Sequence, residues 1–226
     1  MATYNEYIYD IIEGLRNNYI SDDVNISNLN VGFHLSSQRA TWLRNEFNKP
    51  GRVIDSQVVQ TLCAKLIPVS ASECDCVELD CFVLRTEQKI PKLLELHSGP
   101  ALIRVGPVNI TNQKFNFVPQ EQAILSASNK YTKNSVYLFL YNSYLYMITN
   151  NTSYQTLEYL SIKGVFDNPL DLQNFTCNNE SCFTLDSEYP LPFWMYSYVR
   201  ELVIQQFKPR SLSDTANDAK EDVNKQ

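Results

Sequence analysis

The chain has 226 residues, of which 44% are hydrophobic and 19% charged, with a formal net charge of −6. That balance excludes global disorder and is enough for one large domain or two small ones. A net acidic surface without a local cluster of Lys and Arg speaks against sequence-directed nucleic-acid binding. No window reaches the ~18 consecutive apolar residues of a membrane span. The opening residues Met1-Ala2-Thr3-Tyr4 carry neither a basic nor an apolar leader region, so folding in a cytoplasm is expected.

The predicted elements begin with a capping box, Thr3 followed by Glu6. Tyr4, Tyr7, Ile8, Ile11, Ile12 and Leu15 then recur at helical spacing, predicting an amphipathic helix that ends near Asn17-Asn18. Ser21-Asp22-Asp23 reads as a turn. A second helix is predicted over 27–47, carrying Leu29, Phe33, Trp42, Leu43 and Phe47, with Gly32 and Ser36-Ser37 as places for a kink. Asn48-Lys49-Pro50-Gly51 stops it.

From residue 52 the pattern changes to short alternating segments. Strands are predicted over 58–69, 81–85, 101–105, 114–118, 136–141, 145–149 and 157–162. Asn142-Ser143-Tyr144 joins two of them as a hairpin turn, and 120–125 reads as a short helical turn. After residue 166, Asp167 is a candidate cap and Pro169 suits a first helical position, predicting a short helix to Phe175. Pro190-Leu191-Pro192 opens a last helix, 193–207, with Trp194, Tyr198, Leu202 and Ile204 as core candidates. The remaining residues, from Pro209, are polar and charged with almost no bulky apolar residue, a composition expected of a disordered arm. Docking onto neighbouring subunits is expected to order it.

The fold expected is α+β: a helical bundle formed by the N- and C-terminal helices, a β-rich sandwich or open barrel inserted between them, and the C-terminal arm. In residue numbers this is a helical hairpin over 1–50, a β-rich region over 51–166, C-terminal helices over 167–208 packing on the hairpin, and the arm over 209–226.

Catalytic templates are scarce. The six glycines stand no closer than Gly99 and Gly106, which excludes G-x-G-x-x-G, G-x-S-x-G and the phosphate-binding loop. His34 and His97 are the only histidines, so H-E-x-x-H is impossible. His34 reads as a helix-face or interface residue and His97 as a loop-edge residue. Asp22-Asp23 and Glu78/Asp80 read as solvated turn carboxylates rather than a hydrolytic pair. No catalytic, cofactor-binding or metal-binding residue is therefore assigned.

Six cysteines fall as Cys63, Cys74-x-Cys76-x4-Cys81 and Cys177-x4-Cys182. Zinc ligation, free thiols and a disulfide within one of the short pairs are the readings their spacing allows. Asn25, Asn109, Asn150, Asn151, Asn174 and Asn179 begin Asn-x-Ser/Thr matches, which an Asn-, Ser- and Thr-rich chain generates by chance. Of the 14 tyrosines, Tyr137, Tyr141, Tyr144, Tyr146, Tyr154 and Tyr159 crowd the β-rich region. Interface contact and cross-strand packing are both open to them.

Several short segments carry a resemblance: Gln60-Thr61-Leu62-Cys63, Ala71-Ser72-Glu73-Cys74, Lys89-Ile90-Pro91-Lys92 and Arg104-Val105-Gly106-Pro107-Val108. Phe117-Val118-Pro119, Asn129-Lys130-Tyr131-Thr132-Lys133-Asn134 and Pro192-Phe193-Trp194-Met195 add to it. With them the chain resembles virion structural proteins of crAss-like phages that form ring or head-to-tail adaptors below the portal. The resemblance implies a non-enzymatic subunit of a ring of about twelve copies, without cofactor or membrane. It also implies contacts with the portal and other tail or ring proteins, and genomic DNA passing through the channel. A zinc-stabilised protein-binding domain and a tail-associated hydrolase are the alternatives.

Overall fold

The computed structural model describes residues 2–18, 26–70, 73, 82–109, 113–177 and 180–207. The predicted turn at 21–23, the arm over 209–226, Cys74, Cys76, Cys81, Glu78 and Asp80 lie outside the described residues.

Helix α1 spans Tyr4–Asn18 and α2 spans Asn28–Phe47. The capping box at the start of α1 is realised: the Thr3 backbone N–H donates to Glu6 Oε2 at 2.7 Å and the Glu6 N–H to Thr3 Oγ1 at 3.3 Å. Tyr4, Tyr7, Ile8, Ile11, Ile12 and Leu15 are all buried, as their spacing requires. Helix α2 runs without interruption through Gly32. The glycine serves a close approach, since a Cβ there would lie 1.8 Å from the Tyr4 hydroxyl.

Seven strands form one sheet. They are β1 (Gln60–Pro68), β2 (Phe82–Thr86), β5 (Leu102–Pro107), β6 (Asn116–Phe117), β7 (Tyr137–Tyr141), β8 (Tyr144–Thr149) and β9 (Tyr159–Gly164). A two-residue hairpin, β3 (Glu95–Leu96) with β4 (Gly99–Pro100), lies outside it. The sheet order is β5-β9-β1-β2-β8-β7-β6, antiparallel except for the β6–β7 pair. Each predicted strand segment overlaps one of these seven, with boundaries that differ by one to two residues at several ends. The β7–β8 hairpin turns on Asn142 and Ser143, both at positive φ (51° and 67°). A two-residue turn of this kind matches the twist of the flanking strands.

The two ends of the sheet approach one another, making it a nearly closed barrel. Beside β6, the Phe115 N–H donates to the Val105 carbonyl of β5 at 2.8 Å, and Arg104 donates to the Gln113 carbonyl through Nε (3.2 Å) and Nη2 (2.9 Å). Gly106 makes this seam possible: a Cβ there would sit 2.2 Å from the Gln113 carbonyl oxygen. Alternation along the strands sends Leu62, Ala64, Leu66, Leu84, Leu138, Leu145, Met147, Leu160 and Ile162 into the main core. The opposite face of β2, β7 and β8 presents Val83, Tyr137, Phe139, Tyr146 and Ile148. These form a second cluster under helix α3 (Gln120–Ser128) with Ala123 and Ala127.

Helix α5 (Phe193–Phe207) contacts both α1 and α2. Tyr7 packs on Tyr196 (ring centroids 4.2 Å), Trp42 meets Trp194 edge-on (5.2 Å), and Asp10 pairs with Arg200 at 2.6 Å. Ile11, Leu35, Leu43, Met195 and Val199 share the main hydrophobic cluster with the barrel interior. Arg39 of α2 ties the layers together. Fully buried, it donates through Nε to the Pro190 carbonyl (2.8 Å) and through Nη1 to the Phe166 carbonyl (2.9 Å).

Three local expectations are corrected. The segment after residue 168 is a 3-10 helix, Pro169–Asn174, and Asn168 rather than Asp167 caps it. Asp167 instead takes a forked hydrogen bond from Arg44 (2.7 and 2.8 Å), because the end of β9 brings it against α2. In α5 the core residues are Met195, Val199, Val203 and Ile204. Of the four predicted, Ile204 is buried while Trp194, Tyr198 and Leu202 face outward. A helix apolar on several faces has two stripes at i, i+4, i+8, and the α1–α2–barrel surface accepts only one of them.

Candidate interaction surfaces and the cysteine site

Among the described residues, half of the exposed large apolar side chains lie on α5 and α2; the others (Tyr9, Val53, Leu125, Tyr131, Tyr159 and Leu185) are scattered over the rest of the surface. On α5, Phe193 is 83% exposed, Trp194 49%, Tyr198 62% and Leu202 36%. Trp194, Tyr198 and Leu202 recur every four residues and form a ridge ~12 Å long at 1.5 Å per residue. The opposite side of the same helix is locked into the core by Met195, Val199 and Val203, so the ridge is rigidly presented.

The second surface is concave. Leu29 and Phe33 of α2 are 85% and 69% exposed. They line a groove of about 400 Å³ between α2 and the 167–170 segment, with Gly32, Ser36 and Ala40 as its small residues and Arg44 with Asp167 at one end. Phe33 and Trp42 are nine residues apart, about half a turn out of phase at ~100° per residue. Trp42 faces α5, so groove and ridge lie on opposite flanks of the helical layer.

The tyrosines of the β-rich region divide between the two readings. Tyr137 and Tyr146 are buried, with Tyr146 stacked on Phe139 at 5.3 Å, and Tyr141 packs edge-on against Tyr146. Tyr144 receives the Arg85 guanidinium over its ring at 4.5 Å. Tyr154 packs on Phe115. Of the six, Tyr159 is exposed. Cross-strand packing under α3 therefore claims most of them.

Three sulfurs meet on the outside of the barrel, against β1. Cys63 on the outer face of β1 is disulfide-bonded to Cys177, in a short hairpin formed by β10 (Thr176–Cys177) and β11 (Glu180–Ser181). The Cys182 Sγ lies 3.2 Å from Cys177 Sγ. The reading of a bridge within the 177/182 pair is thus corrected: tertiary folding supplies a partner 114 residues away in sequence. Burial pushes the Cys182 thiol pKa up, which keeps it protonated beside the bridge. Among the described residues no group of three His, Cys, Asp or Glu is placed to hold a metal ion.

The histidines are not brought together. His34 stacks edge-on against Phe207 at 5.1 Å, whereas the His97 backbone N–H donates to Asn48 Oδ1 at 2.8 Å. Along α2 these places are ~21 Å apart. An open trough of about 1160 Å³ follows the barrel seam, lined by Leu96, Leu102, Ile103, Phe117, Phe139 and others. Glu95 is its one carboxylate among the described lining residues, so the pair that glycan hydrolysis uses does not occur there. No helix among the described residues is long and apolar enough to cross a membrane.

Contiguous apolar side chains held out of the chain's own core mark a protein that works through contacts with other chains. The sequence model of the family described as phage tail ring protein 2 matches residues 6–223. The chain belongs to that family, among the ring proteins of crAss-like phages. It is similar to Ring protein 2 of Bacteroides phage crAss001, with 25% identity over 227 residues covering 98% of each chain. The family is one of structural components of the virion.

Sequence reasoning missed Arg39, Phe193 and the α2 groove. Phe193 carried a signal, since it follows directly on the helix-opening Pro192. Arg39 carried none, because an Arg in a mixed helix reads as surface.

Proposed function

We propose that the chain is a structural subunit of a connector ring in the head-to-tail region of a short-tailed phage. In this reading the ring adapts the portal to later tail rings and forms part of the DNA channel. The observation that supports it most is the presence of two different apolar faces on one subunit. A closed ring is built from one heterologous contact repeated by rotation, so each copy needs two unlike, complementary faces.

The helices over 1–50 and 167–208 form a bundle that carries these faces, and the region 51–166 is the body beside it. Twelve copies assemble in the host cytoplasm and become part of the virion. A formal charge of −6 per subunit, repeated around a channel, favours a lumen past which DNA slides rather than adheres. Replacing lumen-facing carboxylates by Lys then slows DNA ejection, and unchanged ejection removes the electrostatic role.

Native mass, measured with and without the portal protein, tests the reading as a whole. The expected result is a species of twelve 26.1 kDa chains that binds the portal. A stable monomer that binds neither portal nor other tail proteins overturns it.

A further inference from the structure

We propose that the Trp194–Tyr198–Leu202 ridge of α5 in one copy seats in the α2 groove of the next copy, and that this is the repeating contact of the ring. The inference rests on the ring reading above and specifies which surfaces close it. Three observations carry it.

The first is shape. The ridge is convex and built from bulky side chains in one row. The groove has the small residues Ser36, Ser37 and Ala40 on its floor, flanked by Leu29 and Phe33, while Gly32 is covered by the chain's own Tyr4. Residues 29–41 of α2 extend over ~18 Å, long enough for a ridge of ~12 Å. A helix ridge packing into a groove beside another helix is the ordinary geometry of helix association.

Position is the second. The two surfaces lie on opposite flanks of the helical layer, so one subunit cannot satisfy its own ridge with its own groove. Opposed, unlike faces generate a head-to-tail chain of copies that closes when the rotation between them divides a circle.

The third is area. Aromatic and aliphatic side chains at these exposures leave roughly 400–500 Å² of apolar surface on the α5 face and about 300 Å² at the groove. With a polar rim, mating the two reaches the ~1,000 Å² that a specific interface requires. The C-terminal residues 208–226 are a poor alternative cover, because they contain no aromatic side chain and, apart from Ala216 and Ala219, only Leu212 and Val223 as apolar residues.

The test uses the full chain and two surface variants, Tyr198→Asp on the ridge and Phe33→Asp in the groove. Both positions are exposed, so each variant keeps the wild-type thermal melt. Each is expected to weaken self-association about thirtyfold or more and to run as a monomer where the wild type forms rings. Mixed in equal amounts, the two retain one intact ridge and one intact groove between them. The mixture is expected to give a one-to-one dimer that grows no further. Rings formed by either variant alone, or no dimer in the mixture, overturn the proposed contact while leaving the ring reading standing. A wild-type chain that stays monomeric at every concentration strikes the ring reading itself and this contact with it. A photo-crosslinking residue at position 198 supplies an independent readout. It should link to residues 29–41 of another copy, whereas links to residues 19–25 or 208–226, or to a different protein, overturn the proposal.

Discussion

Arg39 shows how much one buried charge can organise. Among the described residues no carboxylate lies within its hydrogen-bonding reach, and it is held by two backbone carbonyls, Phe166 at the end of the barrel and Pro190 at the entry to α5. Burial lowers its pKa from the ordinary arginine value, opposed by the nearby Tyr189 and Asp167. Arg39→Ala leaves a cavity and two buried acceptors without donors, and is expected to cost about 2–4 kcal/mol. In a chain of this size that is a fall of roughly 4–16 °C in Tm, read from a thermal melt.

The cysteines make a second prediction at this scale. Peptide mapping without reduction should recover Cys63 joined to Cys177 in the oxidised protein. In Cys63→Ser, the 3.2 Å separation of Cys177 and Cys182 is expected to let an oxidant join these two instead. Recovery of both thiols unbridged under the same oxidant would count against that geometry.

At the scale of elements, β2, β7 and β8, buried on both faces, were legible in the sequence as short apolar runs bounded by turn residues. Helix α1 was legible because its apolar periodicity is strong and it has one buried face. The same periodicity failed on α5. Trp194, Tyr198 and Leu202 are spaced as well as Met195, Val199 and Val203, and nothing local says which row the chain's own core will take. Glycine was misread for a related reason: Gly32 sits in the middle of a helix, and the feature that requires it, the Tyr4 hydroxyl, is on another helix. Gly32→Ala is expected to destabilise the protein by about 1–3 kcal/mol through overpacking, even though Ala is the better helix former. Tyr4→Phe in the same chain should restore part of that loss by removing the clashing oxygen. Urea unfolding of the single and double variants measures both steps, and no recovery would mean the clash lies elsewhere.

At the scale of the whole molecule, the α1–α5 contact is a tyrosine-rich interior with a pH signature. Burial raises the pKa of Tyr4, Tyr7, Tyr189 and Tyr196 above the ordinary value of 10.0. At Tyr196 the hydrogen bond to Asp10 pushes further in the same direction. A pKa raised in the folded state means the folded chain holds protons that the unfolded chain releases. The stability they contribute is complete below pH 10 and is lost as pH rises through the folded values. Melting temperature should therefore decline above pH 10, and Tyr196→Phe should make that decline shallower. A melt insensitive to pH from 9 to 11 would show that these rings are ionising freely.

The sequence by itself determined the local elements: the capped first helix, the alternating strands, the Asn142-Ser143 turn and the lack of common catalytic spacings. These depend on neighbours within a few residues, where periodicity and turn chemistry act. Tertiary structure alone decided the closing of the barrel at Gly106, the pairing of Cys63 with Cys177 and the burial of Arg39. It also decided which apolar row of α5 is left exposed. Each of these depends on groups far apart in sequence. Hydrophobic burial is also non-directional, so an apolar stripe records that it must be covered but not by which surface.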